Sequence, residues 1–217
     1  MTFINEIADL CEKVGGDVHQ VAAGMGLDNR ISGKFLHAGP GYGGSCFPKD
    51  TLALTRTGQE VNSPLRIVET VVEVNEARKR KMTDKIIDAC GGKVAGKTIA
   101  VLGVTFKPDT DDMREAPALT IVPALIGAGA TVAVADPEGR KEGEALLPGV
   151  RWADGAYDAA KDADAVAIVT EWNEFRALDL ERLAAEMRGD VMVDLRNIYR
   201  PEEARDAGFA YSSVGRP

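Results

Sequence analysis

Cys46 is the residue whose surroundings best suit covalent chemistry. It stands in Gly39-Pro40-Gly41-Tyr42-Gly43-Gly44-Ser45-Cys46-Phe47-Pro48-Lys49-Asp50. Glycine serves where a chain bends through positive φ or passes close to another group, and proline suits the first turn of a helix. The pattern predicts a glycine-rich turn that delivers Cys46 to the N-terminus of a helix opened by Pro48. Unpaired amides and the helix dipole favour an anion there. Lys49 adds a cation, and together these conditions favour a thiolate nucleophile. Asp50 follows four residues on, one helical turn from the thiol, as a base or a holder of water. The plainer alternative is a glycine turn followed by a structural cysteine; the density of special residues favours a functional one.

Basic residues are spaced around this turn. The loop from 27 to 46 carries Arg30, Lys34 and His37 among small residues, a composition suited to a phosphorylated ligand or to a solvated turn. Lys107 lies in Gly103-Val104-Thr105-Phe106-Lys107-Pro108, just after an apolar run, and reads as a point charge for phosphate. That turn is not a dinucleotide fingerprint. G-x-G-x-x-G lets backbone approach a pyrophosphate, whereas this turn has one glycine and a bulky aromatic. Cys11 and Cys90 fall in helical patterns and read as structural. His19 and His37 stand apart with no ligand spacing, which argues against a metal centre.

Composition narrows the classes further. A net charge of -8 over 217 residues disfavours general nucleic-acid binding. Three distant cysteines without a C-x-x-C pair suit a reduced, cytoplasmic setting. No apolar run approaches a membrane span, and no signal peptide is expected.

The elements that must position these residues follow from periodicity. Phe3, Ile7, Leu10 and Val14 predict a helix over 2–14, closed by Gly15-Gly16, and Asp17 caps a second helix to about Met25. The acidic balance counts against reading this pair as a DNA-binding helix-turn-helix. Ser63 as N-cap and Pro64 at the first position predict a long helix to about Cys90, roughly 39 Å in length. Its two ends are apolar and its middle, 75–81, is polar, a form that connects two domains or supports a dimer. A composition shift at 91–96 marks a boundary between a region 1–90 and a region 91–217. Apolar runs at 98–103, 131–135, 165–169, 191–194 and 209–212 alternate with helical segments, including one over 116–128. The fold expected is α/β: a helical central, dimerising region followed by a Rossmann-like parallel-sheet domain. Ligands of such sheets bind beyond the C-terminal strand ends, here the loops starting at Val104, Thr170 and Leu195. A chain opening inside a helix reads as a piece of a longer protein.

The cysteine stretch resembles the catalytic-cysteine motif of the nucleotide-sugar dehydrogenase family, and within it the UDP-glucose 6-dehydrogenase group. Phe3-Ile4-Asn5-Glu6-Ile7-Ala8 resembles the family's central helix, and Asn29-Arg30 through Phe35-Leu36 its substrate loop. Phe106-Lys107-Pro108 with Thr110-Asp111-Asp112-Met113-Arg114-Glu115 is similar to the first loop of its C-terminal domain. Thr170-Glu171-Trp172 and Asp194-Leu195-Arg196-Asn197 are similar to later segments. The resemblance covers nearly all of the chain but only the second half of the family's length. It implies a C6 alcohol of UDP-glucose oxidised to the carboxylate of UDP-glucuronate with two NAD, through a thiohemiacetal and a thioester on Cys46. Asp50 would activate water or relay protons. Phe35, Leu36, Tyr42, Gly43 and Phe47 would line the sugar, while Lys107 and Arg196 approach the nucleotide. Arg114 would face the cofactor, and Arg30 would reach into the partner subunit's site of a homodimer. The glycine-rich cofactor domain would precede residue 1, as would a catalytic lysine and asparagine on the leading turns of the central helix; Asn5 matches a later part of that helix. Dehydrogenases of GDP-mannose or UDP-N-acetylmannosamine are the near alternatives. A non-catalytic nucleotide-sugar-binding module is the distant one, and it has no need of an activated thiol.

Overall fold

Short apolar runs alternating with helices become, in the computed structural model, a parallel sheet wrapped on both faces; the structure describes residues 1–216. Four helices come first: α1 (Thr2–Val14), α2 (Val18–Gly26), α3 (Cys46–Glu60) and α4 (Arg66–Ala89). The sheet then builds through β1 (Thr98–Leu102), α5 (Ala118–Gly127), β2 (Thr131–Ala135), α6 (Arg140–Leu146), β3 (Arg151–Trp152) and α7 (Ala156–Ala160). It continues with β4 (Ala165–Ile168), α8 (Asn173–Arg176), α9 (Leu180–Glu186), β5 (Val191–Asp194), α10 (Pro201–Asp206) and β6 (Ala210–Ser213). The strand order is β3-β2-β1-β4-β5-β6, and every neighbouring pair is parallel. The order reverses between β1 and β4, and the crevice beyond their C-terminal ends is where such sheets take ligands.

A parallel sheet covered on both faces needs strands that are apolar throughout. Ile99, Val101, Val132 and Val134 point to one face, where they join Ile4, Ala8, Met82, Ile86 and Ile121 in one core. Ala100, Leu102, Ala133 and Ala135 point to the other, where Ala156, Ala159 and Ala160 let α7 pack closely. The first core therefore contains side chains of α1, α4 and the sheet together. The long helix is at once the connection out of the first four helices and a covering layer for the sheet.

Local chemistry moved several boundaries. Asp17 caps α2 as expected, its Oδ1 accepting the His19 N–H at 2.7 Å. α3 begins at Cys46, so Pro48 sits third in the helix and does not open it. Ser63 does not cap α4: the helix starts at Arg66 with Leu65 before it, and spans about 36 Å. The Ser63 N–H donates to the Gly58 carbonyl at 2.8 Å, in a tight return from α3 that runs through Asn62 at φ 51. The two-residue edge strand β3 is too short to give a periodic signal.

Candidate active site

Cys46 is the first residue of α3, exposed, with Ser45 before it making no side-chain cap. The helix amides are thus open beside the thiol. Lys49 and Asp50 are both exposed on the same helix, 3.9 Å apart. Cys11 and Cys90 are buried, and burial pushes the Cys90 thiol up.

The four glycines are explained by what presses on them. A Cβ on Gly43 would lie 2.4 Å from the Glu115 carbonyl oxygen. Gly44 has φ +88, and a Cβ there would lie 2.8 Å from the Phe106 ring. The Gly44 N–H donates to the Arg114 carbonyl at 2.8 Å. Two residues before the thiol, the turn is therefore clasped by the first loop of the sheet. Further back, the Gly39 N–H donates to Asn5 Oδ1 at 2.9 Å, and Arg78 Nε donates to the Gly39 carbonyl at 3.0 Å. Glycine here admits neighbouring bulk; it does not make a phosphate cradle.

On the sheet side Asp136, at the end of β2, accepts the Val104 N–H at 2.6 Å and the Thr105 N–H at 3.1 Å with one oxygen, and the Gly139 N–H at 2.7 Å with the other. Thr170 Oγ1 donates to the Thr105 carbonyl at 2.6 Å, and Gly103, at φ +87, lies where any Cβ would strike Thr170. Carboxylate and threonine are thus both engaged with the turn itself, and Asp136 takes its Val104 and Thr105 amides. Lys107 stays exposed beside it, its Nζ 5.4 Å from the Phe106 ring centre.

Arg196 bridges the loops. Its Nε donates to the Val169 carbonyl at 2.7 Å, its Nη2 to the Phe106 carbonyl at 3.3 Å, and it lies 3.0 Å from a Glu171 carboxylate oxygen. Burial pulls the guanidinium's pKa below its ordinary value, and Glu171 and Asp194 oppose that. The turn that carries it is set by Asp194, fully buried, which accepts the N–H groups of Arg196 and Tyr199, each at 3.0 Å, and the Tyr211 hydroxyl at 2.8 Å. Burial raises the Asp194 carboxyl, and these donors act against it.

Of the residues read from the sequence, Cys46, Tyr42, Gly43 and Phe47 share the turn, and Lys107, Arg114 and Arg196 share the loops against it. Arg114 holds Asp112 through two bonds of 2.9 and 2.8 Å; that contact raises its pKa above the ordinary value, and Cys46 and Asp111 add to it. Folding thus brings Arg114 to the turn that carries Cys46, although sequence order places the two sixty-eight positions apart. Phe35 is exposed, and Leu36 packs against the first core. Arg30 is exposed and paired with Asp28 at 2.6 Å, and among the described residues no contact joins it to the turn. Sequence reasoning missed Asn75, Arg78 and Lys79, which fold under the turn from α4; their spacing of three and four places them on one helical face.

Comparison with known proteins agrees with this fold. Residues 1–77 match the model of the UDP-glucose/GDP-mannose dehydrogenase family, central domain, and residues 100–201 that of its UDP binding domain. The chain is 60% identical over 217 residues to a UDP-glucose 6-dehydrogenase of Rhizobium meliloti (strain 1021), covering all of this chain and 50% of that one. It is 44% identical over 218 residues to UDP-glucose 6-dehydrogenase TuaD of Bacillus subtilis (strain 168), covering all of this chain and 47% of the relative. A solved UDP-glucose dehydrogenase from the archaeon Pyrobaculum islandicum superposes with a TM-score of 0.87 at 33% identity, over all of this chain and 48% of that one. The chain spans about half the length of the curated relatives it matches. Two models of one family lie along the sequence in the order of the helices and the sheet, and on that ground the chain belongs to the UDP-glucose/GDP-mannose dehydrogenase family.

Proposed function

We propose that this chain supplies the reactive thiol and the sugar-nucleotide half of a UDP-glucose 6-dehydrogenase, which oxidises the C6 alcohol of UDP-glucose to the carboxylate of UDP-glucuronate. The observation that carries the reading is the docking of the Cys46 turn on the sheet's first loop, which brings an exposed thiol beside the strand ends where a nucleotide would lie. Cys46 Sγ adds to the C6 carbonyl, and the thiohemiacetal keeps the aldehyde from leaving. At the acid oxidation level the same sulfur is held in a thioester. Water, giving its proton towards Asp50, releases the carboxylate and restores the thiol.

NAD would take the hydrides when bound. The sheet of this chain does not fit that dinucleotide, because Asp136 and Thr170 are spent on the first turn. Arg114 is the side chain we assign to face the cofactor. Lys107 offers its charge to the diphosphate. Phe35, Leu36, Tyr42, Gly43 and Phe47 border the sugar, and Arg196 holds the floor beneath the nucleotide.

We further assign a homodimer, in which Arg30 completes the partner's site, and a cytoplasmic setting. The exposed apolar side chains Phe3, Leu10 and Val14 on α1 and Ile67 on α4 support the dimer. Residues 1–90 and 91–217 are kept as the two working units. No helix among the described residues is long and apolar enough to cross a membrane.

Alkylation tests the reading. Iodoacetamide should label Cys46 before Cys11 and Cys90, and UDP-glucose should slow that labelling. In the full-length protein, Cys46→Ser should stop acid formation at or before the thioester. Normal turnover to UDP-glucuronate in that variant would end the covalent mechanism.

A further inference from the structure

Asn75, Arg78 and Lys79, in the middle of α4, are polar and yet no more than 4% exposed. Burying polar groups is costly unless they find partners, so the partners they found report their use. Asn75 spends both ends of its amide on one residue. Its Oδ1 accepts the Tyr42 N–H at 2.9 Å and its Nδ2 donates to the Tyr42 carbonyl at 3.1 Å. Gly41, at φ +123, allows that approach; a Cβ there would lie 3.1 Å from Asn75 Oδ1. Lys79 Nζ lies 2.7 Å from Glu76 and 3.6 Å from Glu115, the residue whose carbonyl abuts Gly43.

Tyr42 passes this grip on. Its ring meets Phe47 edge to face, with centroids 4.6 Å apart, and Phe47 is the residue after Cys46. Burial raises its phenol's pKa, and Thr51, a turn further along α3, opposes that. The peptide of Tyr42 is thus fixed by α4, and its ring braces the first turn of α3 through Phe47.

We propose that Asn75 is a positioning residue for the Cys46 thiol, acting through the Tyr42 peptide and ring on the first turn of α3. This rests on reading Cys46 as the reacting thiol. Asn75 does not touch the thiol; it decides where the helix that presents it begins.

The test follows iodoacetamide labelling of each cysteine by peptide mass spectrometry over a pH series. It compares this chain with Asn75→Ala, Tyr42→Ala and the double variant, with circular dichroism as the check on folding. Cys11 and Cys90 are buried and report any general loosening. In Asn75→Ala, Cys46 labelling should slow by roughly three- to tenfold, in the lower part of the range for coupled neighbours. Its pH–rate profile should be displaced, while Cys11 and Cys90 stay protected. In the Tyr42→Ala background, Asn75→Ala should add nothing further. An unchanged Cys46 rate, labelling of all three cysteines alike, or additive effects in the double variant would overturn the proposal. Should Asn75→Ala not fold, Phe47→Ala removes the last contact of the same relay at a half-exposed ring. It must slow Cys46 similarly, and a rate equal to the parent's overturns the relay. UDP-glucose protection in the parent is a separate arm: its failure with the Asn75 effect intact sinks the nucleotide-sugar reading, not the positioning role.

Discussion

Two turns meet above the sheet, and they are built oppositely. The turn from 39 to 46 carries four glycines and ends in an exposed thiol; the turn from 103 to 116 carries one glycine and is filled by Phe106. The first is thin because the second is thick: Phe106 lies on Gly44 and the Glu115 carbonyl on Gly43. A glycine-rich turn is often taken as room for a phosphate. Here the room is already occupied by protein, and the glycines record a docking surface between two parts of one chain. The thicker turn gives up the dinucleotide crevice in return, since Asp136 binds its amides from below.

The hardest way to break this pairing is Gly43→Ala. Its Cβ would meet backbone, which cannot rotate away, and we expect a loss of about 3 kcal/mol. That should lower the melting temperature by roughly 6–12 °C, and a melt matching the parent's would refute the docking. Asp136→Asn replaces an acceptor with a donor that faces N–H groups. We expect a loss of about 2 kcal/mol and faster hydrogen exchange at Val104 and Thr105; exchange at parent rates there would remove Asp136 from its role. Gly44→Ala sharpens the comparison. Paired with Phe106→Ala, which takes away the ring it strikes, it should cost about 1 kcal/mol less than the two single changes together. Strict additivity in denaturant melts would show that the ring and the glycine are independent.

The smallest effect concerns pH. Arg114 beside Asp112 holds that carboxyl below its ordinary value. A depressed carboxyl adds stability above its unfolded pKa and loses it as pH falls through the folded one. The melting temperatures of the parent and Arg114→Met should therefore differ most near neutral pH and converge in strong acid. The arginine is exposed, so the gap should be small and should shrink with salt. A gap that stays constant on acidification would assign the effect to something other than the pair.

Much of this architecture was legible from residue order. Apolar runs of four to six residues between helical patterns are enough for a parallel sheet, and the capping aspartate at 17 announced α2. The glycine-rich approach to Cys46 could be read as a turn, but not what the turn leans on, because Phe106 and Glu115 are brought there by tertiary folding. Asn75 and Lys79 were hidden for a related reason: a polar stretch in a long helix looks solvated until a loop is known to cross it. Ser63 misled because a serine caps a helix only where its side-chain oxygen reaches an N–H two or three residues on, and here the helix starts at Arg66, with Leu65 before it and no side-chain cap. Arg30 pairs with a neighbour two residues away, and such local pairs say little about where a side chain works.

The Gly215 N–H donates to Glu12 Oε1 at 2.8 Å and its carbonyl accepts the Val18 N–H at 2.8 Å, across some two hundred residues. A Cβ on Gly215 would lie 2.6 Å from Ala8 Cβ, so α1 seats itself against that very backbone. During synthesis, at roughly 5–20 residues per second, α1 leaves the ribosome long before its seat exists. The part of its face around Ala8 must wait some ten seconds or more for the segment after β6 that receives it. That interval is when a chaperone has reason to hold this chain, and truncation before residue 215 prolongs it without end.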